Sequence, residues 1–167
     1  FHGYYEHPPN REAVELIDQQ IAPAMSEREV EVEFILVGKN PPDVSSPNIH
    51  PVGFVDDLLS VLNAADLAVV PILHGGGTKT KIYDYVSLSL PFVATEKAVE
   101  GIDLEPERHG LITSDVDEEF VSSLIAIIQN KERYQQMKEN LTDLAKEWNW
   151  ERSAARCSDA YHDFKKA

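Results

Sequence analysis

Apolar residues along this chain alternate between two spacings. Val14, Ile17, Ile21 and Met25 recur every three or four positions behind Pro8 and Pro9, which suit a first helical turn, so a helix is expected over 8–26. Residues 31–37, Glu-Val-Glu-Phe-Ile-Leu-Val, read as a strand ending at Gly38. A polar loop, 39–43, leads to a short strand over about 48–52. Leu58, Leu59 and Leu62 mark a short helix that Asp56 or Asp57 can cap. The run 67–72, Leu-Ala-Val-Val-Pro-Ile, is continuous and apolar, as in a strand buried on both faces of a parallel sheet. A helix over 79–89 and strands over 91–95 and 110–113 come next. Ser114 or Asp115 is then expected to cap a helix whose apolar face is Val116, Phe120, Leu124 and Ile127 or Ile128. Two helices, 131–148 and 150–164, close the chain.

Strands alternating with helices in this way predict an α/β fold, a Rossmann-like doubly wound parallel sheet with its ligands at the carboxyl edge. No repeat or linker divides residues 1–167, so one domain is expected, large enough to bury roughly 70% of its unfolded surface. The formal net charge of −14 argues against nucleic acid or an anionic membrane surface as a partner, and requires any anionic ligand to be held by local donors. Lone Cys157 excludes an intrachain disulfide and suits a reducing compartment. With no apolar run of membrane-spanning length and no basic-then-apolar leader, a cytoplasmic setting is the simplest expectation. Asn140-Leu141-Thr142 matches a glycosylation acceptor pattern, but within a helical stretch. Phe1-His2-Gly3 reads as entry in mid-strand, and suggests a domain separated from a partner.

The chemistry concentrates where the apolar run ends. Gly75, Gly76, Gly77 and Thr78 form a loop between a strand and a helix; glycines permit positive φ and close ligand approach, and a helix start offers unpaired N–H groups to anions. A diphosphate suits this loop. Lys79 and Lys81 add two cations, and Asp84, about one turn beyond Lys81, could take a pair of sugar hydroxyls. The same residues also suit a plain glycine turn with a solvated first helical turn and a surface acid. Other chemistries find less support. The first glycine, Gly3, precedes Tyr4-Tyr5-Glu6 rather than the spaced glycines of a dinucleotide fingerprint, and the Gly-Lys-Ser/Thr ending of a nucleoside triphosphatase loop is absent. The six histidines are scattered without metal-ligand spacing, so no metal site is expected. Ser87-Leu88-Ser89 has no nucleophile-elbow pattern.

These blocks together resemble the carboxyl-terminal, donor-binding half of a GT-B glycosyltransferase of the family 4 type, the glycosyl transferases group 1 domain. The resemblance is carried by Phe1-His2-Gly3 with Pro8-Pro9-Asn10, by residues 34–42, by Val52-Gly53-Phe54-Val55-Asp56-Asp57-Leu58, by residues 64–71, by 75–84, by 91–95, by Glu100-Gly101-Ile102 and by Trp150-Glu151. It implies transfer of a hexosyl group from a nucleotide-diphosphate sugar to an acceptor hydroxyl on a glycan or lipid, usually without a metal. It also implies that acceptor binding and any catalytic base lie on a separate amino-terminal domain, which could bring the protein to the inner membrane face. The catalytic residues are therefore not assigned.

The family often carries two glutamates separated by seven residues, the first near the donor sugar and the second on the ribose. Asp84 occupies the second position and Gly76 the first. Asp keeps the acceptor oxygens with a shorter reach, whereas Gly76 offers no carboxylate, so the sugar contact comes from backbone amides, from Glu100, or not at all. Relatives also place an Arg and a Lys after the first strand, where His2, Tyr4, Tyr5 and Glu6 stand here, so Lys79 and Lys81 are the available replacements. The donor-binding set implied is Gly3, Gly38, Lys39, Gly75, Gly76, Gly77, Thr78, Lys79, Lys81, Asp84 and Glu100, with Gly38 to Asn40 bordering the base or sugar. Two other readings compete: a module that kept the fold without transferase activity, and a nucleotide-sugar epimerase, which lacks its dinucleotide loop here. Trp148, Trp150, Tyr161 and Phe164 are expected either to cover a partner domain or to close the core.

Overall fold

A computed structural model describes residues 1–148 together with Ala154, Ser158 and Tyr161. Its first helical stretch begins at Pro8, runs as α1 (Pro8–Leu16), passes through a π-helical turn (Ile17–Ile21) and continues as α2 (Ala22–Glu27). Pro23 explains the π turn. Its ring lacks an N–H and crowds the carbonyl four residues back, and the widened turn before it lets the Ala22 N–H reach Ile17 O instead. Across the widening, Ala13, Val14, Ile17, Ile21, Ala22 and Met25 all remain buried.

β1 (Phe34–Val37) runs parallel to β2 (Ile49–Gly53), with Phe34 opposite Ile49. His2 makes a parallel bridge to Val37, and Gly3 N–H donates to Val37 O at 2.9 Å, which attaches the start of the chain to β1. β3 (Ala68–Val70), β4 (Phe92–Thr95) and β5 (Leu111–Thr113) form a second parallel ladder in that order. The expected α/β architecture with parallel strands is present, but as two ladders; among the described residues no ladder pairing joins them. Both ladders line one core, in which Leu36, Ile17, Val70, Ile72, Tyr85 and Phe92 are packed together. The strands are shorter than the apolar runs that announce them, and β3 stops where Pro71 can donate no ladder hydrogen bond.

α3 (Leu58–Asn63) is capped by Asp57, whose carboxylate accepts from Ser60 N–H at 3.1 Å. α4 (Thr80–Ser87) follows the glycine loop. α5 (Glu96–Val99), absent from the sequence reading, is capped by the buried Thr95 hydroxyl. α6 (Glu118–Gln129) corrects another expectation, since its cap is Asp117, accepting from Glu119 N–H at 2.9 Å. Asp115 instead takes Val116 N–H at 2.7 Å, so Val116 packs into the core ahead of the helix, and Ile127 rather than Ile128 faces inward. α7 (Lys131–Glu147) packs on α4 and α6. Trp148 is half-buried against Tyr83, with ring centroids 5.0 Å apart. Ala154, Ser158 and Tyr161 are helical and exposed; the expectations for Trp150, Cys157 and Phe164 lie outside the described residues. Among the described residues no helix is long and apolar enough to cross a membrane.

Candidate functional site

The segments following β1, β3 and β4 and the chain start open on the same, carboxyl side of the parallel strands. Two glycines set their spacing. Gly38 has φ 142°, and a Cβ there would lie 1.7 Å from Gly3 O, so this pair brings two backbones closer than any side chain permits. The Tyr5 hydroxyl donates to Val37 O at 3.1 Å beneath them and fixes the junction.

Gly75 has φ 99° and Gly77 φ 76°, so the glycine loop follows a left-handed path at both ends. A Cβ on Gly75 would meet Pro9 at 2.8 Å, whereas one on Gly76 would meet nothing within 4 Å. Gly76 therefore faces open space, at the position where the resemblance leads one to expect a carboxylate. Lys79 folds back over the loop, its Nζ donating to the carbonyls of Gly75, Gly76 and Gly77 at 3.3, 3.4 and 2.9 Å. It closes the loop on itself, with Thr78 inside this clamp and Lys79 leading directly into α4.

Lys81 differs from its neighbour. It is 7% exposed, with Nζ 2.6 Å from Asn10 Oδ1 and 4.1 Å from the centre of the Phe1 ring. Burial, and then the charge of Lys79, depresses its pKa from 10.5 to about 7. A solvated helix face, one of the two readings of this residue, is thereby excluded. Asp84, one turn along α4, is half-buried, and desolvation raises its carboxyl above the usual range. Its Oδ2 lies 3.5 Å from Nε2 of the buried His2. Burial first, with Lys81 and the Phe1 amine adding to it, lowers His2 to about 3, so the imidazole is neutral and the contact is not an ion pair.

The remaining residues of the expected set face other partners. Lys39 holds its ammonium 5.1 Å over the exposed Phe54 ring, and Asn40 donates to Glu6 at 2.5 Å. Glu100 pairs with Lys97 at 2.6 Å, and this contact, with a weaker contribution from Lys79, holds its carboxyl below the usual range. The structure thus brings together the glycine loop, Lys79, Lys81 and Asp84, and supports them from behind with Gly3, Pro9 and Asn10. His2, Asn10 and Thr95 escaped sequence reasoning as site residues. Thr95 joins the loops after β3 and β4 by donating to Ile72 O while capping α5. Among the described residues no group of three His, Cys, Asp or Glu side chains is placed to hold a metal ion.

The arrangement is a glycine loop with open space at its middle residue, one enclosed lysine beyond it and one carboxylate a helical turn further along α4. The model of the family glycosyl transferases group 1 matches residues 1–130. Among solved structures the chain is similar to Anabaena Alr3699/HepE in complex with UDP and glucose, with TM-score 0.63 and 16% identity over 78% of this chain and 40% of that one. The same protein in complex with UDP gives TM-score 0.64 and 16% identity, covering 78% of this chain and 41% of the other. The chain thus spans about two fifths of the length of those structures. No curated protein matches it.

Proposed function

This chain belongs to the glycosyl transferases group 1 family, and from that premise we propose that it is the donor-binding half of a GT-B glycosyltransferase, holding a nucleotide-diphosphate sugar at the glycine loop. The observation that carries the reading is the enclosed Lys81 ammonium beside a loop whose middle glycine faces open space. Loop amides and Lys81 take the diphosphate, and Asp84 takes the ribose hydroxyls. In the transfer, the bond from the anomeric carbon to the diphosphate oxygen breaks as the acceptor oxygen bonds to that carbon. The acceptor proton passes to a base, and the nucleoside diphosphate leaves. Negative charge grows on the departing diphosphate, so preorganised N–H groups and lysines lower the barrier. Lys81 supplies this charge in place of a metal, with Lys79 adding positive charge from its clamp on the loop carbonyls.

The acceptor, a glycan or lipid hydroxyl, and the base that deprotonates it belong in this reading to a further domain, consistent with the length of the HepE structures. A cytoplasmic setting in polysaccharide or glycan synthesis, with any membrane contact made outside this chain, completes the proposal.

Calorimetric titration with UDP, GDP and ADP tests it. One of the three is expected to bind saturably, and Lys81→Ala and Asp84→Ala are each expected to weaken that binding by about tenfold or more, the scale of one charged hydrogen bond. Folded protein that binds none of the three, or variants that bind as the parent does, would overturn the assignment.

A further inference from the structure

Lys81 has two partners among the described residues, the Asn10 carboxamide and the face of Phe1, and no carboxylate at ion-pair distance. The other end of the same carboxamide is also engaged, Asn10 Nδ2 donating to Tyr4 O at 2.9 Å. A carbonyl can only accept and an ammonium can only donate, so these two neighbours leave the amide a single orientation, with Oδ1 toward Lys81. Packing holds the carboxamide in place. A Cβ on Gly3 would lie 2.8 Å from Asn10 Nδ2, and Pro9, the preceding residue, fills the space behind Gly75. The first turn of α1 therefore touches the chain start, the glycine loop and the buried cation at once.

We propose that Asn10 is the positioning residue of the donor cleft, its carboxamide oxygen anchoring the Lys81 ammonium at the inner wall against which the diphosphate is bound. The assignment rests on the reading of Lys81 as a diphosphate ligand. A neutral acceptor suits this task. A carboxylate would cancel the charge intended for the ligand, and an apolar side chain would leave a buried ammonium without an acceptor. The other charged or titratable groups around Lys81 are Lys79 at the start of α4, Asp84 and Tyr85 further along it, and His2 with the Phe1 amine on the amino-terminal segment.

Two measurements on the protein test this. In a proton–carbon NMR titration of the lysine ε-methylenes, with Lys81 assigned by its loss in Lys81→Arg, Asn10→Asp should raise the Lys81 midpoint by about one pH unit or more, and Asn10→Leu should lower it. Affinity for inorganic pyrophosphate at pH 7 should fall about tenfold in both variants. The titration reports the contact between Asn10 and Lys81, and the pyrophosphate affinity reports whether the ligand depends on it. An unmoved midpoint in both variants overturns the proposal, as does unchanged pyrophosphate affinity in them when Lys81→Ala abolishes binding. If Lys81→Ala binds pyrophosphate as the parent does, the premise about Lys81 fails instead, and the two failures are told apart by that variant. Asn10→Asp is isosteric, so the titration can be read even if Asn10→Leu does not fold.

Discussion

Gly38 and Gly76 are glycines for opposite reasons. At Gly38 the backbone of Gly3 occupies the place of a side chain and φ is positive, so Gly38→Ala is expected to cost about 3 kcal/mol or more in urea unfolding, through strain and displacement of the amino-terminal segment. At Gly76 nothing obstructs a side chain and φ is not positive. Gly76→Glu should keep stability within about 0.5 kcal/mol, and a loss well above that would contradict the open space beside Gly76. Lys81 has its own signature. Its pKa falls from 10.5 in the unfolded chain to about 7 in the folded one. Between these values the unfolded chain binds a proton that the folded chain does not, so this residue makes stability rise with pH across that window, and its burial penalty is fully felt below about 7. Lys81→Met should therefore be more stable than the parent at pH 6, with the gap closing toward pH 10. A gap that is the same at every pH would contradict the burial described here.

At the scale of elements, caps decide where helices begin. Asp117 satisfies the first N–H groups of α6, and Asp117→Ala is expected to cost about 1 kcal/mol by chemical denaturation, more than the same change at Asp115, which lies ahead of the helix. Caps also show what could be read from sequence. Asp57 and Pro8 stand next to clear helical spacing, and the helices start beside them. Asp115 and Asp117 are equally good caps by type, and the choice between them is made by Val116 entering the core. α5 has four residues and no periodicity to reveal it, and β3 ends for want of an N–H at Pro71. The cleft divides in the same way. Gly75 to Asp84 lie within ten consecutive positions, so one loop and one helical turn bring them together without tertiary information. Asn10 is 71 positions from Lys81, and only the docking of α1 against the loop makes them partners.

For the whole molecule, the two ladders and their shared core act as a frame that carries every cleft segment on one side. The net charge of −14 opposes an anionic ligand at long range, so the proposed diphosphate site has to rely on local attraction, such as that of the enclosed Lys81, which acts at short distance where bulk charge is screened. The π turn between α1 and α2 governs how this frame meets the cleft. Each helical residue advances the chain by about 100°, so loss of one residue from Ile17–Ile21 would turn α1 by that angle while α2 stayed seated on the core. Asn10 would then point away from Lys81 and Pro9 away from Gly75. Helical phase, set by one proline thirteen residues downstream of the amide, thus decides whether Asn10 and Pro9 reach Lys81 and Gly75, and a single-residue insertion or deletion there would change the proposed site without altering any residue that lines it.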